Sequence, residues 1–374
     1  MTMPHRIANI RLTDVVVNQR TTWRHVELMT ESGLTGVGEA TLDDAGPDYS
    51  ARLLEAGQQI LDRPLATDAL DPLRLRLRDL QGRTILSALD QAVADLRAQI
   101  ACQPLCVLLG AGPTDILLPL YANINRATAI RTPRAFAQNA RSAADEGYQA
   151  IKLAPFDGLT PELCDKEEGH VLIDAGLARI RATREVVPVC DLMVDCHWRL
   201  TPTAATALLP PLRDLGVTWL ECPLPETTDA IPELRALRDA ANRHDMRLCG
   251  LETAGDWAEF APFVEGGAYD VIMPDVKHAG GLESLLNTGR RGRAAGISVS
   301  LHNPSGPVAH LCSTHVMAAL GGHERMEIQW NESPIFNQIT SPAPITEAGA
   351  CRPTSTPGLG ATLNESAAQQ WASE

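Results

Sequence analysis

An α/β fold built on a closed (β/α)8 barrel, preceded by a smaller α+β domain, is what this sequence predicts. Three observations carry the prediction. Six polar residues, Asp195, Glu221, Glu252, Asp275, His302 and Glu327, recur along the second half at intervals of 23 to 31 residues, each closing a short apolar run. An interval of that size holds one strand, one helix and two loops, so the runs read as successive parallel strands with chemistry at their C-terminal ends. Two earlier runs, LPLYA (118–122) and QAIKL (149–153), bring the strands to eight, the number that closes a barrel with its active site at that end. Finally, 374 residues are enough for a barrel of roughly 250 plus a second domain.

In chain order, 7–17 and 23–30 read as strands, and Glu31 to Leu34 supply a tight turn into a third strand containing Gly36 and Gly38. Residues 84–109 place Leu86, Leu89, Val93, Leu96 and Ile100 at helical spacing, broken at Pro104. Gly and Pro cluster in GAGPTD (110–115), which sets the first boundary: 1–115 as an N-terminal α+β capping domain and 116–330 as the barrel. Thr132 with Pro133, and Thr201 with Pro202, open helices as N-cap and first-turn proline. Later helices are expected over 231–244, 256–265, 281–295 and 307–320. The interval from Lys152 to Asp195 is too long for one unit, and its surplus, 157–172, reads as an insertion on the catalytic face. Residues 331–374, rich in Pro, Ser and Thr, read as a C-terminal segment that packs back on the first domain.

Composition excludes several classes. A net charge of −14 argues against a nucleic-acid footprint, which needs a concentrated basic face. The N-terminus lacks the apolar core of a secretion signal, and no run approaches ~20 apolar residues, so neither export nor a membrane span is expected. Nine cysteines with no C-x-x-C pair fit buried free thiols in a reducing compartment, hence the cytoplasm.

Asp195, Glu221 and Glu252 would close three consecutive strands and point into one space, where unscreened like charges repel strongly. A hard divalent cation resolves that, and an all-oxygen donor set suits Mg²⁺ rather than Zn²⁺. Asp275 and His302 end adjacent strands, and a carboxylate on one imidazole nitrogen raises the basicity of the other, which makes a general base. Glu327, on the eighth strand, would face the cation, where a protonated carboxyl can donate to a developing oxyanion.

These residues and their surrounding motifs, VDCH, LECP, GLET, MPDVKHAGG, SLHNPSGP and MEIQW, together with GEA (38–40) and SALDQAVADL (87–96), resemble the mandelate racemase subgroup of the enolase superfamily over nearly the whole chain. The resemblance implies a modified TIM barrel with a capping domain and Mg²⁺ held by Asp195, Glu221 and Glu252. It further implies removal of the proton alpha to a substrate carboxylate by His302 with Asp275, and an enediolate stabilised by Glu327. Symmetric homo-oligomers are common in such families.

Departures from the pattern bear on the reaction. Racemising relatives carry K-x-K after the second strand, whereas AIKLAPF has Lys152 and then Ala154, so a second-face lysine base is missing. By contrast, His197 lies two residues after Asp195, where acid-sugar dehydratases of this family place the general acid for a leaving hydroxyl; a structural group at the rim is the alternative. Lys152 is expected on the substrate carboxylate. Lys277 reads equally as a substrate contact, a second acid or an ion-pair partner. Arg20, Asn125 and Arg126 lie in loops expected to cap the mouth and to read substrate hydroxyls, though the two arginines read equally as surface charges. The expected activity is a Mg²⁺-dependent acid-sugar dehydratase, with an epimerase, racemase or cycloisomerase of the same superfamily as the alternative.

Overall fold

The computed structural model describes residues 5–66, 68–112 and 114–371, so Pro113 of the expected boundary lies outside it. The chain opens with an antiparallel meander, β1 (Ile7–Val16), β2 (Thr22–Thr30) and β3 (Thr35–Glu39). Against it packs the helix Leu80–Ile100, which begins earlier than the apolar periodicity suggested because the Asp79 side chain accepts from the Gly82 N–H at 3.2 Å. Leu28, Leu53, Leu89, Val93 and Leu96 form the core of this layer. The helix stops short of Pro104, which instead opens a separate short helix, Leu105–Leu108.

Eight parallel strands follow: β4 (Leu118–Asn123), β5 (Ala150–Leu153), β6 (Asp191–Asp195), β7 (Val217–Glu221), β8 (Arg247–Gly250), β9 (Val271–Ile272), β10 (Ser298–Val299) and β11 (Met326–Gln329). Neighbours in sequence are neighbours in the sheet from β4 to β10, and β11 pairs with β4. The circle is completed between β10 and β11 by single bonds, Glu327 N–H to Leu301 O at 3.2 Å and Ser300 Oγ to Arg325 O at 2.7 Å. Tyr121, Ala150, Met193, Trp219, Cys249, Val271 and Met273 fill the barrel as a cluster of their own. Leu192, Val194, Leu220 and Leu248, their neighbours along the strands, face the helix layer instead. Each such fully buried side chain contributes about 1.5–3 kcal/mol.

Thr132 and Thr201 cap their helices through bonds from Ala135 N and Ala204 N, as the sequence predicts. The surplus after β5 is less of an insertion than expected. Residues from Glu167 onward already belong to the 20-residue helix Glu167–Val186, leaving only a short loop with one 3₁₀ turn at Pro161–Leu163. The C-terminal segment is attached to both the barrel and the first domain. Ala350–Cys351 pairs antiparallel with the start of β4, while Trp371 O accepts from Val16 N–H at 2.9 Å and Glu365 meets Arg11 at 2.6 Å on β1. Among the described residues no helix is long and apolar enough to cross a membrane.

Candidate active site

Asp195 and Glu221 end adjacent strands in direct register, and Glu252 lies two residues beyond β8. The backbone beside each is strained into the left-handed region without glycine: His197 (φ 48°) and Trp198 (φ 57°) follow Asp195, Cys222 (φ 44°) follows Glu221, and Leu251 (φ 72°) precedes Glu252. Such residues cluster where geometry is held for function. Each acid also has a basic neighbour. Asp195 Oδ2 lies 2.7 Å from His197 Nε2, Glu221 Oε1 lies 2.5 Å from Lys152 Nζ, and Glu252 Oε2 lies 3.4 Å from His302 Nε2.

Burial pushes the Glu221 carboxyl up, and Asp195, Glu252 and Glu327 add to the push, so that it reaches about 8 despite Lys152. Burial would raise Asp195 too, but His197 and Lys152 hold it well below the usual carboxylate range. That mutual crowding of buried acids, all oxygen donors on neighbouring strand ends, fits a hard divalent cation. The side chains as they stand are turned onto their basic partners. Among the described residues no three His, Cys, Asp or Glu side chains are drawn together closely enough to hold a metal. Asp195, Glu221 and Glu252 fit such an ion by backbone placement and donor chemistry, and their carboxylates must swing inward to reach it.

The dyad is assembled beyond the end of the ladder. β9 and β10 are two residues each, and Asp275 meets His302 through an isolated parallel bridge three residues past them. His302 Nδ1 lies 2.8 Å from Asp275 Oδ2, leaving Nε2 toward Glu252 and toward Glu327 at 3.7 Å. Burial by itself lowers the imidazole, but Glu252, Glu327 and Asp275 together lift it to about 9.

Glu327 differs from the expectation. It is the second residue of β11 rather than a strand end, and it accepts from Asn123 Nδ2 at 2.6 Å, from Asn303 N–H at 3.0 Å and from Lys152 at 3.0 Å. Burial opposes its ionisation, yet Lys152, His302 and these donors hold it below the usual range. As it stands the carboxylate accepts from all three of these groups. Lys152, only 1% exposed, is clamped between Glu221 and Glu327, which outweigh burial and raise it well above the ordinary range.

His197 reaches the mouth by the left-handed turn rather than by strand alternation. Asp195 fixes that turn by accepting the His197 N–H at 2.9 Å, and the side chain is 34% exposed. Two loop candidates are engaged with other groups and a third is exposed. Arg126 binds Asp43 at 2.7 Å and Glu332 at 3.1 Å, Asn125 Oδ1 accepts from Arg131 at 2.7 Å, and the exposed Arg20 makes no side-chain hydrogen bond among the described residues. Lys277 is buried beside the dyad, its Nζ 3.6 Å from Asp275 Oδ2.

Sequence reasoning missed Glu226. It is half-buried, and its Oε1 accepts from Leu251 N–H at 2.6 Å and from Tyr269 OH at 2.9 Å. It thereby braces the strained residue next to a candidate ligand. Its position in a polar loop gave no signal.

A model of the enolase C-terminal domain-like family matches residues 135–367. D-gluconate dehydratase of Thermoproteus tenax is 26% identical over 301 residues, 79% of this chain but only 58% of that protein. D-xylonate dehydratase of Haloferax volcanii is 24% identical over 375 residues, 96% of this chain and 88% of that protein. L-rhamnonate dehydratase of Saccharopolyspora erythraea is 28% identical over 355 residues, 91% and 82% of the two chains. Among solved structures, a mandelate racemase/muconate lactonizing enzyme from Jannaschia sp. CCS1 superposes with a TM-score of 0.84 at 21% identity, covering 99% of this chain and 98% of that one. A member of the enolase superfamily from Salmonella Typhimurium gives 0.85 at 21% identity, covering 98% of each. With the match spanning most of the barrel and the fold shared end to end, the chain belongs to the enolase C-terminal domain-like family and has the mandelate racemase/muconate lactonizing enzyme architecture.

Proposed function

We propose that the protein is a Mg²⁺-dependent acid-sugar dehydratase. It removes the proton alpha to a sugar-acid carboxylate and expels the 3-hydroxyl as water, giving an enol that tautomerises to a 2-keto-3-deoxy acid. The observation that carries this reading is the presence of two histidines at one barrel mouth, His302 on Asp275 and the part-exposed His197 two residues after Asp195. One supplies a base and the other an acid, which is what an elimination needs and a simple proton exchange does not. The named activities of the relatives, on gluconate, xylonate and rhamnonate, share that substrate class.

His302 donates its Nδ1–H to Asp275, which leaves Nε2 to take the α-proton. Of the charges that lift His302 to about 9, Glu252 is foremost, so a cation held by that carboxylate would lessen the lift. His197, its side chain 34% exposed at the mouth, carries the proton for the departing hydroxyl. Lys152 offsets charge where the substrate carboxylate docks, with Glu327 holding it in place. Mg²⁺, held by Asp195, Glu221 and Glu252, supplies Lewis-acid stabilisation of the negative charge that develops on the substrate carboxylate. Nine free cysteines, eight of them buried, support a reducing, cytoplasmic setting.

A library of sugar acids incubated with protein and Mg²⁺, with 2-keto product as readout, tests the reading. His197→Asn should abolish product while exchange of the α-proton with solvent survives. Solvent exchange or epimerisation without keto product from the wild type would replace it with the isomerase reading.

A further inference from the structure

Two lysines stand at the mouth, and the protein treats them differently. Lys152 is held by two carboxylates. Lys277 has a side chain 5% exposed, and among the described residues its ammonium makes no hydrogen bond; its nearest carboxylate oxygen, Asp275 Oδ2, is 3.6 Å away. The carboxylate oxygens of Asp275 have hydrogen-bond donors of their own. Oδ2 is already paired with His302 Nδ1 at 2.8 Å, and Oδ1 accepts the Lys277 backbone N–H at 2.7 Å.

Nor is the segment free to carry the lysine elsewhere. The capping-domain helix Leu80–Ile100 grips it with three side chains on one face: Thr84 Oγ1 lies 3.0 Å from His278 Nδ1, Ser87 Oγ accepts the Gly280 N–H at 2.8 Å, and Asp90 accepts the Leu282 N–H at 2.7 Å. His278 is thereby drawn to the capping domain, while Lys277 is turned to the dyad. An ammonium brings three donors, and one carried on a stem this closely packed can meet a ligand oxygen without first having to be ordered.

We propose that Lys277 is a specificity-determining residue, its ammonium donating to an oxygen substituent of the substrate beside the α-carbon, on the side from which His302 acts. For its substrate class this rests on the dehydratase reading above. The oxygen is the 2- or the 3-hydroxyl, and substrate analogues distinguish the two.

Lys277→Met is compared with wild type in three measurements. Melting without ligand should be no lower in the variant, because no structural bond is removed. With the best sugar acid, kcat/KM should fall ~100-fold or more. Binding, read as the ligand-dependent melting shift with Mg²⁺, should show the wild type preferring the parent acid over its 2-deoxy or its 3-deoxy analogue, and the variant losing that preference for one of them. The proposal is overturned if Lys277→Met melts more than about 5 °C lower, the mark of a structural ion pair with Asp275. It is overturned equally by kcat/KM within about threefold of wild type, or by undiminished discrimination against both analogues. Wild-type protein that binds sugar acids without forming keto product removes the dehydratase reading alone, and the binding comparison still decides the lysine's role.

Discussion

The two halves of the barrel mouth are built by different means. On the β6–β8 side the strands run to the candidate ligands themselves or end within two residues of them, so Asp195, Glu221 and Glu252 are positioned by the barrel's own register. On the β9–β10 side the ladder ends three residues short, and the capping domain supplies what is missing. Ser87 and Asp90 bind the loop after Asp275, and Glu39 from β3 binds the loop after His302 through Gly306 N–H at 2.7 Å and Ala309 N–H at 2.9 Å. Glycine is required at both grips. A Cβ on Gly281 would meet the Asp90 carboxylate at 2.9 Å, and one on Gly306 would meet Glu39 at 2.9 Å. Across on the first side the capping domain reaches only lightly, where Arg83 donates to Thr253 O at 3.1 Å. The acids therefore belong to the barrel, whereas the base belongs to the interface between barrel and capping domain.

This contrast can be broken at either end. Glu252→Gln, or a chelator, should remove most of the activity, ~10⁴-fold or more, because stabilisation of developing charge is the largest catalytic contribution; keto-product assays with and without added Mg²⁺ read it. Asp275→Asn should cost about 10³-fold in kcat by presenting His302 with the wrong partner, while Mg²⁺ affinity, measured by calorimetry, stays near wild type. Were Mg²⁺ affinity to fall in parallel, the two halves would not be separable. A sharper test lies outside the mouth. Asp90→Ala leaves the Leu282 N–H unsatisfied, which should cost about 1–3 kcal/mol in denaturant unfolding and roughly tenfold in kcat, again with Mg²⁺ affinity unchanged.

Legibility in the sequence follows the same division. The β6–β8 strand-end acids could be seen because a buried parallel strand is a continuous apolar run and its end is marked by the first acid. Asp275 and His302 were visible too, as the ends of adjacent strands, but the capping-domain bonds on the loops beyond them were not. Ser87 and Gly280 are 193 residues apart, and nothing local in either segment announces the partnership. The partners of Glu327 were hidden for a related cause, since Asn123, Lys152 and Asn303 come from three other parts of the chain. Arg126 looked available for substrate because Asp43 and Glu332, its partners, lie 83 residues before it and 206 after.

The capping-domain helix extends its grip to the C-terminal segment, and there the smallest effect is expected. Asp95 accepts N–H groups from Val37 at 3.0 Å and Leu359 at 2.9 Å, tying β3 and the tail to the helix. Burial pushes this carboxyl up to about 6, against the opposing donors. Its folded value therefore lies above the unfolded value near 3.8, and between the two the native state binds more protons than the unfolded chain. The sign follows: this group's contribution to stability is fully present below about 4, shrinks as pH rises through about 6, and is flat above. Asp95→Ala removes both the bonds and the titration, so the stability gap between wild type and variant should be wider at pH 5 than at pH 8, by about 1 kcal/mol in urea unfolding. A gap that is constant, or that widens toward alkaline pH, would mean the carboxylate is stabilised by its N–H donors more than it is penalised by burial. The helix would then hold the tail as firmly in the charged form as it holds the loop after Asp275.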